Sequence, residues 1–185
     1  MLLEHVITTT EKYIEDMPKA QRKEYGQFFT SEATAKFMAG LYKPFWKNLT
    51  CISVLDTGAG SGILSAAILE RLHESKLKEV YLTCYENDVK IIPLLMKNLS
   101  YLKRNVSFQL NFEIKTENYI TSQTSDFNGD LFSKGIAKKY DIVIGNPPYM
   151  KVSSNSAEAK SMPSVCYGAP NMYFLFAAMA LFNLR

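Results

Sequence analysis

The feature that most constrains this chain is the step at Asp56. A short apolar run, Cys51 to Leu55, ends in that acid, and glycines follow at alternate positions, Gly58, Gly60 and Gly62, before a second apolar segment begins. The run reads as a buried strand, and the glycines allow a sharp turn and close approach of a ligand to the backbone. Ile63 to His73 then reads as a helix burying Ile63, Ala66, Ala67 and Leu69. The alternation repeats. Val80 to Tyr85 is a second β-rich run ending in Glu86. A helix follows to about Lys103, starting near Lys90 so that Pro93 falls in its first turn. Ser107 to Ile114 is a third strand, and Tyr140 to Ile144 a fourth, running into Gly145-Asn146-Pro147-Pro148-Tyr149. Strands separated by helices predict an α/β fold with a doubly wound, mostly parallel sheet. Right-handed crossovers then carry Asp56, Glu86 and Asn146 to one edge of it.

The remaining segments are placed around that sheet. Glu4 to Asp16 is a first helix, ending before Pro18, and Ser31 caps a helix over Glu32 to Tyr42 with Phe37, Met38 and Leu41 as its apolar face. Thr121 to Lys139 is polar, with a short helix expected at its end. Lys151 to Pro170 has small residues and no periodicity, and is expected to be mobile until nucleic acid binds. The longest apolar stretch, Met172 to Phe182, falls well short of the ~20 residues of a membrane span. No secretory signal opens the chain, and Cys51, Cys84 and Cys166 are too scattered for a metal or redox pair. Together these predict a cytoplasmic protein without a metal or a membrane partner. A net charge of +3 permits contact with nucleic acid without arguing for it.

Three elements carry chemistry. The G-x-G-x-G spacing differs from the G-x-G-x-x-G of dinucleotide sites. An acid directly before it disfavours a pyrophosphate and suits a cationic or amino-bearing ligand such as S-adenosylmethionine. Glu86, ending the second strand, can take both hydroxyls of a ribose. In Asn146-Pro147-Pro148-Tyr149 the two prolines fix a turn and offer no donors. What remains is a pair of acceptors, the Asn146 side-chain oxygen and the Pro147 carbonyl, suited to the two hydrogens of a planar amine. Tyr149 adds a flat face on which an extruded base can stack.

With these residues the chain resembles the S-adenosylmethionine-dependent DNA adenine-N6 methyltransferases of restriction-modification systems, over roughly residues 20 to 185. Gly26-Gln27-Phe28-Phe29-Thr30 is similar to the family's N-terminal element over the methionine end of the cofactor, with Ser31 in place of its proline. Asp56 to Gly62, Glu86 and Asn146 to Tyr149 follow in family order, and Asn171 to Leu181 resembles the helix after the catalytic turn. The resemblance implies a Rossmann-like methyltransferase fold, divided into an N-terminal helical segment (1–24) and a partial catalytic domain (25–185). It implies catalysis by Asn146, Pro147, Pro148 and Tyr149. Cofactor binding is implied for Phe29, Thr30, Asp56, Gly58, Gly60, Ser61, Glu86, Asn87, Asn118, Tyr119 and Asn146. Thr30 would reach the cofactor carboxylate, and Asn118 would hold the cofactor's adenine amine where the family has an acid. The partner implied is DNA with a flipped adenine. The family's last three strands and its target-recognition module have no counterpart here. The fourth strand is therefore expected to show an open edge that could pair with a second copy. Alternatives that share the planar-amine logic are a protein glutamine-N5 methyltransferase, an rRNA guanine methyltransferase, or a non-catalytic cofactor-binding fragment that needs a partner.

Overall fold

The computed structural model describes residues 1–18, 29–43, 48–130, 139–166 and 171–185. Four strands, β1 (Cys51–Asp56), β2 (Glu79–Tyr85), β3 (Gln109–Lys115) and β4 (Ile142–Ile144), form one sheet in the order β3-β2-β1-β4. Every pairing is parallel, with Asp56 opposite both Cys84 and Ile144. Strand order reverses between β1 and β4, and a parallel sheet opens a crevice at such a point, beyond its carboxyl ends. The doubly wound α/β expectation holds.

Strand parity sorts the side chains onto two faces. Ile52 and Val54, with Val80, Leu82, Cys84 and Leu110, point into the larger core. Four helices cover that face: α1 (Leu2–Glu15), α2 (Glu32–Gly40), α3 (Ile63–His73) and α4 (Ile92–Asn105). The first helix is thus not set apart from the domain, since Leu3 and Val6 lie in the same core. Burying each contributes about 1.5–3 kcal/mol. Pro93 sits in the first turn of α4, where its missing N–H breaks no helical bond.

Among the described residues, the opposite face is covered toward the carboxyl ends. There Leu55 and Tyr85 meet Tyr119, Ile120, Met162 and the helix α7 (Met172–Asn183) through Leu175 and Met179. Two shorter helices complete this layer, α5 (Thr124–Asn128) and α6 (Ala157–Ser161).

Several expectations need correction. In α2 the buried residues are Ala35 and Ala39, while Phe37 and Leu41 are exposed. Two alanines one turn apart let α2 lie close on α3, and close approach is favoured there over bulk. The 121–139 segment also carries a short helix at its start, after a 3-10 turn over Thr121–Gln123, while the helix expected at its end falls on residues outside the described ones. Residues 131–138, Lys138 among them, lie outside the described residues. The 151–170 segment is not structureless over its described part. Ser156 caps α6 by accepting from the Ala159 amide at 3.2 Å, and Ala159 and Met162 are buried. The β4 edge is also not fully open. Tyr140 bridges in parallel to Leu184, its amide donating to the Asn183 carbonyl at 2.8 Å and its carbonyl accepting from Arg185 at 3.0 Å. The chain thus occupies the first position of the edge proposed for a second copy. No described helix is long and apolar enough to cross a membrane.

Candidate active site

A cleft of about 560 Å³ lies across the carboxyl ends of the sheet. Its floor is the glycine loop. Gly60 (φ +53°) and Gly62 (φ +89°) are left-handed, a conformation that costs L side chains about 1–2 kcal/mol. The Phe29 ring packs over Gly60, 3.6 Å from where a Cβ would stand. Glu86 ties this loop to β2. Its Oε2 accepts from the Gly60 amide at 2.7 Å and its Oε1 from the Asp88 amide at 2.8 Å. The carboxylate therefore shapes the floor, and each oxygen keeps a lone pair for a ligand hydroxyl.

Asp56 does not face the cleft as expected. It has the same parity in β1 as Ile52 and Val54, so it points into the larger core and is fully buried. Ser65 donates to its Oδ2 at 2.7 Å. Burial pushes its carboxyl up to about 6, opposed in part by the hydrogen bond from Ser65. Asp56 braces the strand-to-helix step from behind, on the side of the strand away from the cleft. Ser61 is likewise turned inward. Its hydroxyl pairs with Thr10 of α1 at 2.9 Å, and its carbonyl accepts from Asn98 of α4 at 2.8 Å. One loop residue is thus pinned by two helices.

The opposite wall is the turn after β4. Gly145 is required there: a Cβ would stand 2.0 Å from the Thr57 hydroxyl, because the fourth-strand turn crosses directly over the end of β1. Asn146 Nδ2 donates to Thr30 Oγ1 at 3.3 Å, while Asn146 Oδ1 accepts from the Tyr149 hydroxyl at 3.2 Å. Thr30 lies beside the cleft, where its hydroxyl oxygen accepts from Asn146. Tyr149 is 77 % exposed, and one face of its ring stacks on Tyr173 of α7, centroids 5.5 Å apart. Its other face is open to an incoming ring.

Phe29, Gly58, Gly60, Glu86, Asn87, Asn118, Tyr119 and Asn146 to Tyr149 are all brought to the cleft; Thr30 stands next to it, and Asp56 and Ser61 stand behind it. Gly26, Gln27 and Phe28 lie outside the described residues. Sequence reasoning missed Thr57, Tyr85, Asp88, Ile91, Glu117, Glu158, Met172 and Phe176. Phe176 was legible, one turn after Met172 on a capped helix, and it packs against Tyr119 at 5.1 Å. Among the described residues no cluster of His, Cys, Asp or Glu could hold a metal.

The Eco57I restriction-modification methylase model matches residues 74–185, more than half the chain. The chain belongs to that family. Two curated relatives of this chain are type II methyltransferases. M.PstI of Providencia stuartii is 29% identical over 167 residues, covering 89% of this chain and 32% of the relative. M.BsuBI of Bacillus subtilis is 30% identical over 161 residues, covering 86% and 31%. The chain thus spans about a third of the length of the curated relatives it matches. A Streptococcus thermophilus type I restriction-modification methyltransferase subunit superposes at a TM-score of 0.55 with 20% identity, over 85% of this chain and 32% of its own. A Listeria monocytogenes protein assigned to the class I S-adenosylmethionine-dependent methyltransferases gives 0.58 with 15% identity, over 85% and 43%. The fold is that of the S-adenosylmethionine-dependent methyltransferases, so the Rossmann-like expectation stands.

Proposed function

We propose that this chain carries the cofactor cleft and catalytic turn of a restriction-modification enzyme that methylates the N6 amine of adenine in DNA. The observation that carries the reading is the juxtaposition of the Asn146–Tyr149 turn with the glycine-loop floor, across the switch point of a parallel sheet.

S-adenosylmethionine fits the cleft. The floor bares backbone at Gly58 and Gly60, the Glu86 carboxylate stands at the end of β2 for a ribose, and Phe29, Ile91 and Phe176 supply apolar walls. When bound, it supplies a methyl group on a sulfonium, already activated for displacement, so no general base is needed before transfer. The chain's residues position the acceptor. Asn146 Oδ1 exchanges the Tyr149 hydroxyl for one hydrogen of the target amine, with Thr30 holding the amide in place. The Pro147 carbonyl takes the other hydrogen. Holding both turns the nitrogen lone pair out of conjugation with the base, and the same acceptors stabilise positive charge developing on that nitrogen. Tyr149 offers its open face to the extruded ring.

DNA is the partner that this reading implies. The cofactor half is tested by calorimetry. S-adenosylmethionine should bind, and Glu86→Ala should weaken it more than tenfold; no heat with folded protein would sink the cofactor reading. The catalytic half is tested in the whole enzyme. Asn146→Ala should slow single-turnover adenine methylation at least ~10²-fold with cofactor affinity little changed. Near-normal turnover would remove this turn from the active site.

A further inference from the structure

Asn118 does not do what the resemblance asks of it. Its Oδ1 accepts from the Ile120 amide at 3.0 Å and the Thr121 amide at 3.1 Å, so both lone pairs are spent on starting the 3-10 turn. The atom left is a donor, Nδ2, and it is already directed to Glu158 Oε1 at 3.0 Å. An amine arriving beside Asn118 would find no free acceptor on it. Glu158 offers one. Its Oε1 has a second lone pair, and Oε2 accepts from no group among the described residues. The residue lines the same cleft from α6.

Strand order fixes which part of a ligand would meet it. Along the sheet edge the order is β3-β2-β1-β4, so Asn118, just past β3, and Asn146, just past β4, stand at opposite ends, with Glu86 between them. A ligand with its ribose at Glu86 and its reacting group at Asn146 must put its base at the Asn118 end. That end has flat apolar walls, with Tyr119 3 % exposed and Phe176 packed against it. Two carboxylates, Glu117 and Glu158, line the cleft at this end, and Asn118 holds only the second of them; a slot of this kind selects a planar ring that carries a donor.

We propose that Glu158, held by Asn118, is the acceptor for the exocyclic amine of the cofactor's adenine, and so sets the cofactor's base specificity. The acid has moved from the third-strand end to the helix α6, and Asn118 serves as its positioning residue. The inference rests on the cofactor reading above. A charge-assisted bond of this kind inside a cleft is worth about tenfold or more in affinity.

The test is titration calorimetry with two probes, S-adenosylhomocysteine and its analogue with an unsubstituted purine, which differ by an amine against a hydrogen at one ring position. The wild-type chain should prefer the adenosyl probe by at least about tenfold, because the purine probe leaves the carboxylate without its donor. In Glu158→Gln, which can present an NH₂, the preference should collapse to within about twofold. Adding Asn118→Asp to that variant places a carboxylate oxygen beside the slot again and should restore the preference. If Glu158→Gln weakens both probes equally, or leaves the preference intact, Glu158 is only a packing contact and the proposal falls while the cofactor reading stands. If the wild type binds neither probe, the cofactor reading falls and takes the proposal with it.

Discussion

The two walls of the cleft are built by opposite rules. The floor, from β1 and β2, is tied into the protein: Asp56 Oδ2 by Ser65, Ser61 by Thr10 and Asn98, and Glu86 by two backbone amides, with Asp56 Oδ1 left buried and unpartnered among the described residues. The wall after β4 opens to solvent at its tip. Pro147 is buried and Asn146 half-buried, but Tyr149 is exposed, and its hydroxyl rests on Asn146 Oδ1. A small ligand held in one pose is served by a floor already in place before it arrives. A base drawn from a duplex needs an approach from outside, and an aromatic ring with one free face provides a landing for it. Rigidity and access are thus assigned to different strands.

Substitutions can break or sharpen that contrast, and the largest effect belongs to the floor. Gly62→Ala puts an L residue at φ +89° with its Cβ 3.1 Å from Leu95. It should cost about 2 kcal/mol or more in urea denaturation and abolish cofactor binding, since loop and helix start move together. Thr10→Val, far from any ligand, removes the buried partner of Ser61. A loss of about 1–2 kcal/mol is expected by the same measurement, with a weaker cofactor affinity following from a loosened loop. If Thr10→Val leaves both unchanged, the floor is not held from behind as described.

Asp56 should change a slope more than a level. Its folded carboxyl titrates near 6, above the unfolded value, so the folded state holds its proton longer. Its contribution therefore favours folding below about pH 4, declines as pH rises toward about 6, and is flat above that. Denaturation midpoints compared across this window should show that decline in the wild type and lose it in Asp56→Asn. The smallest stability effect belongs to the outer wall. Tyr149→Ala should shift stability by no more than about 0.5 kcal/mol. In the whole enzyme it should raise KM for DNA without moving cofactor affinity, and Tyr149→Phe, which keeps the ring, should be mild. A large stability loss from Tyr149→Ala would erase the distinction between the walls.

Much of this could be read from the sequence. The four strands, the sheet type and the gathering of the glycine loop, Glu86 and Asn146 at one edge all follow from alternation and crossover handedness. Asp56 and Ser61 were misjudged for a reason also present in the sequence. Period-two parity puts Asp56 on the side of Ile52 and Val54, inward, and an acid at a strand end is no exception to the pleat. Glu158 was invisible because its segment lacks periodicity. Only the folded chain brings α6 against Asn118, since nothing local in 151–166 announces a contact forty residues back. The sequence puts Thr30 at the site but does not show its hydrogen bond from Asn146, which joins side chains 116 residues apart.

The strand order also has a consequence for how the molecule assembles. β1, β2 and β3 follow one another with a single helix between successive strands, so each can dock as soon as its helix forms. β4 must join β1 from the other side, and the Ser53–Asp141 bond that anchors it closes a span of 88 residues. Loop closure of that length costs entropy before any contact repays it. The nascent chain should therefore complete the platform for the small molecule while the segment that meets the base is still unfolded. Hydrogen exchange should show the same hierarchy in reverse, with the amides of β4 opening at lower free energy than those of β2.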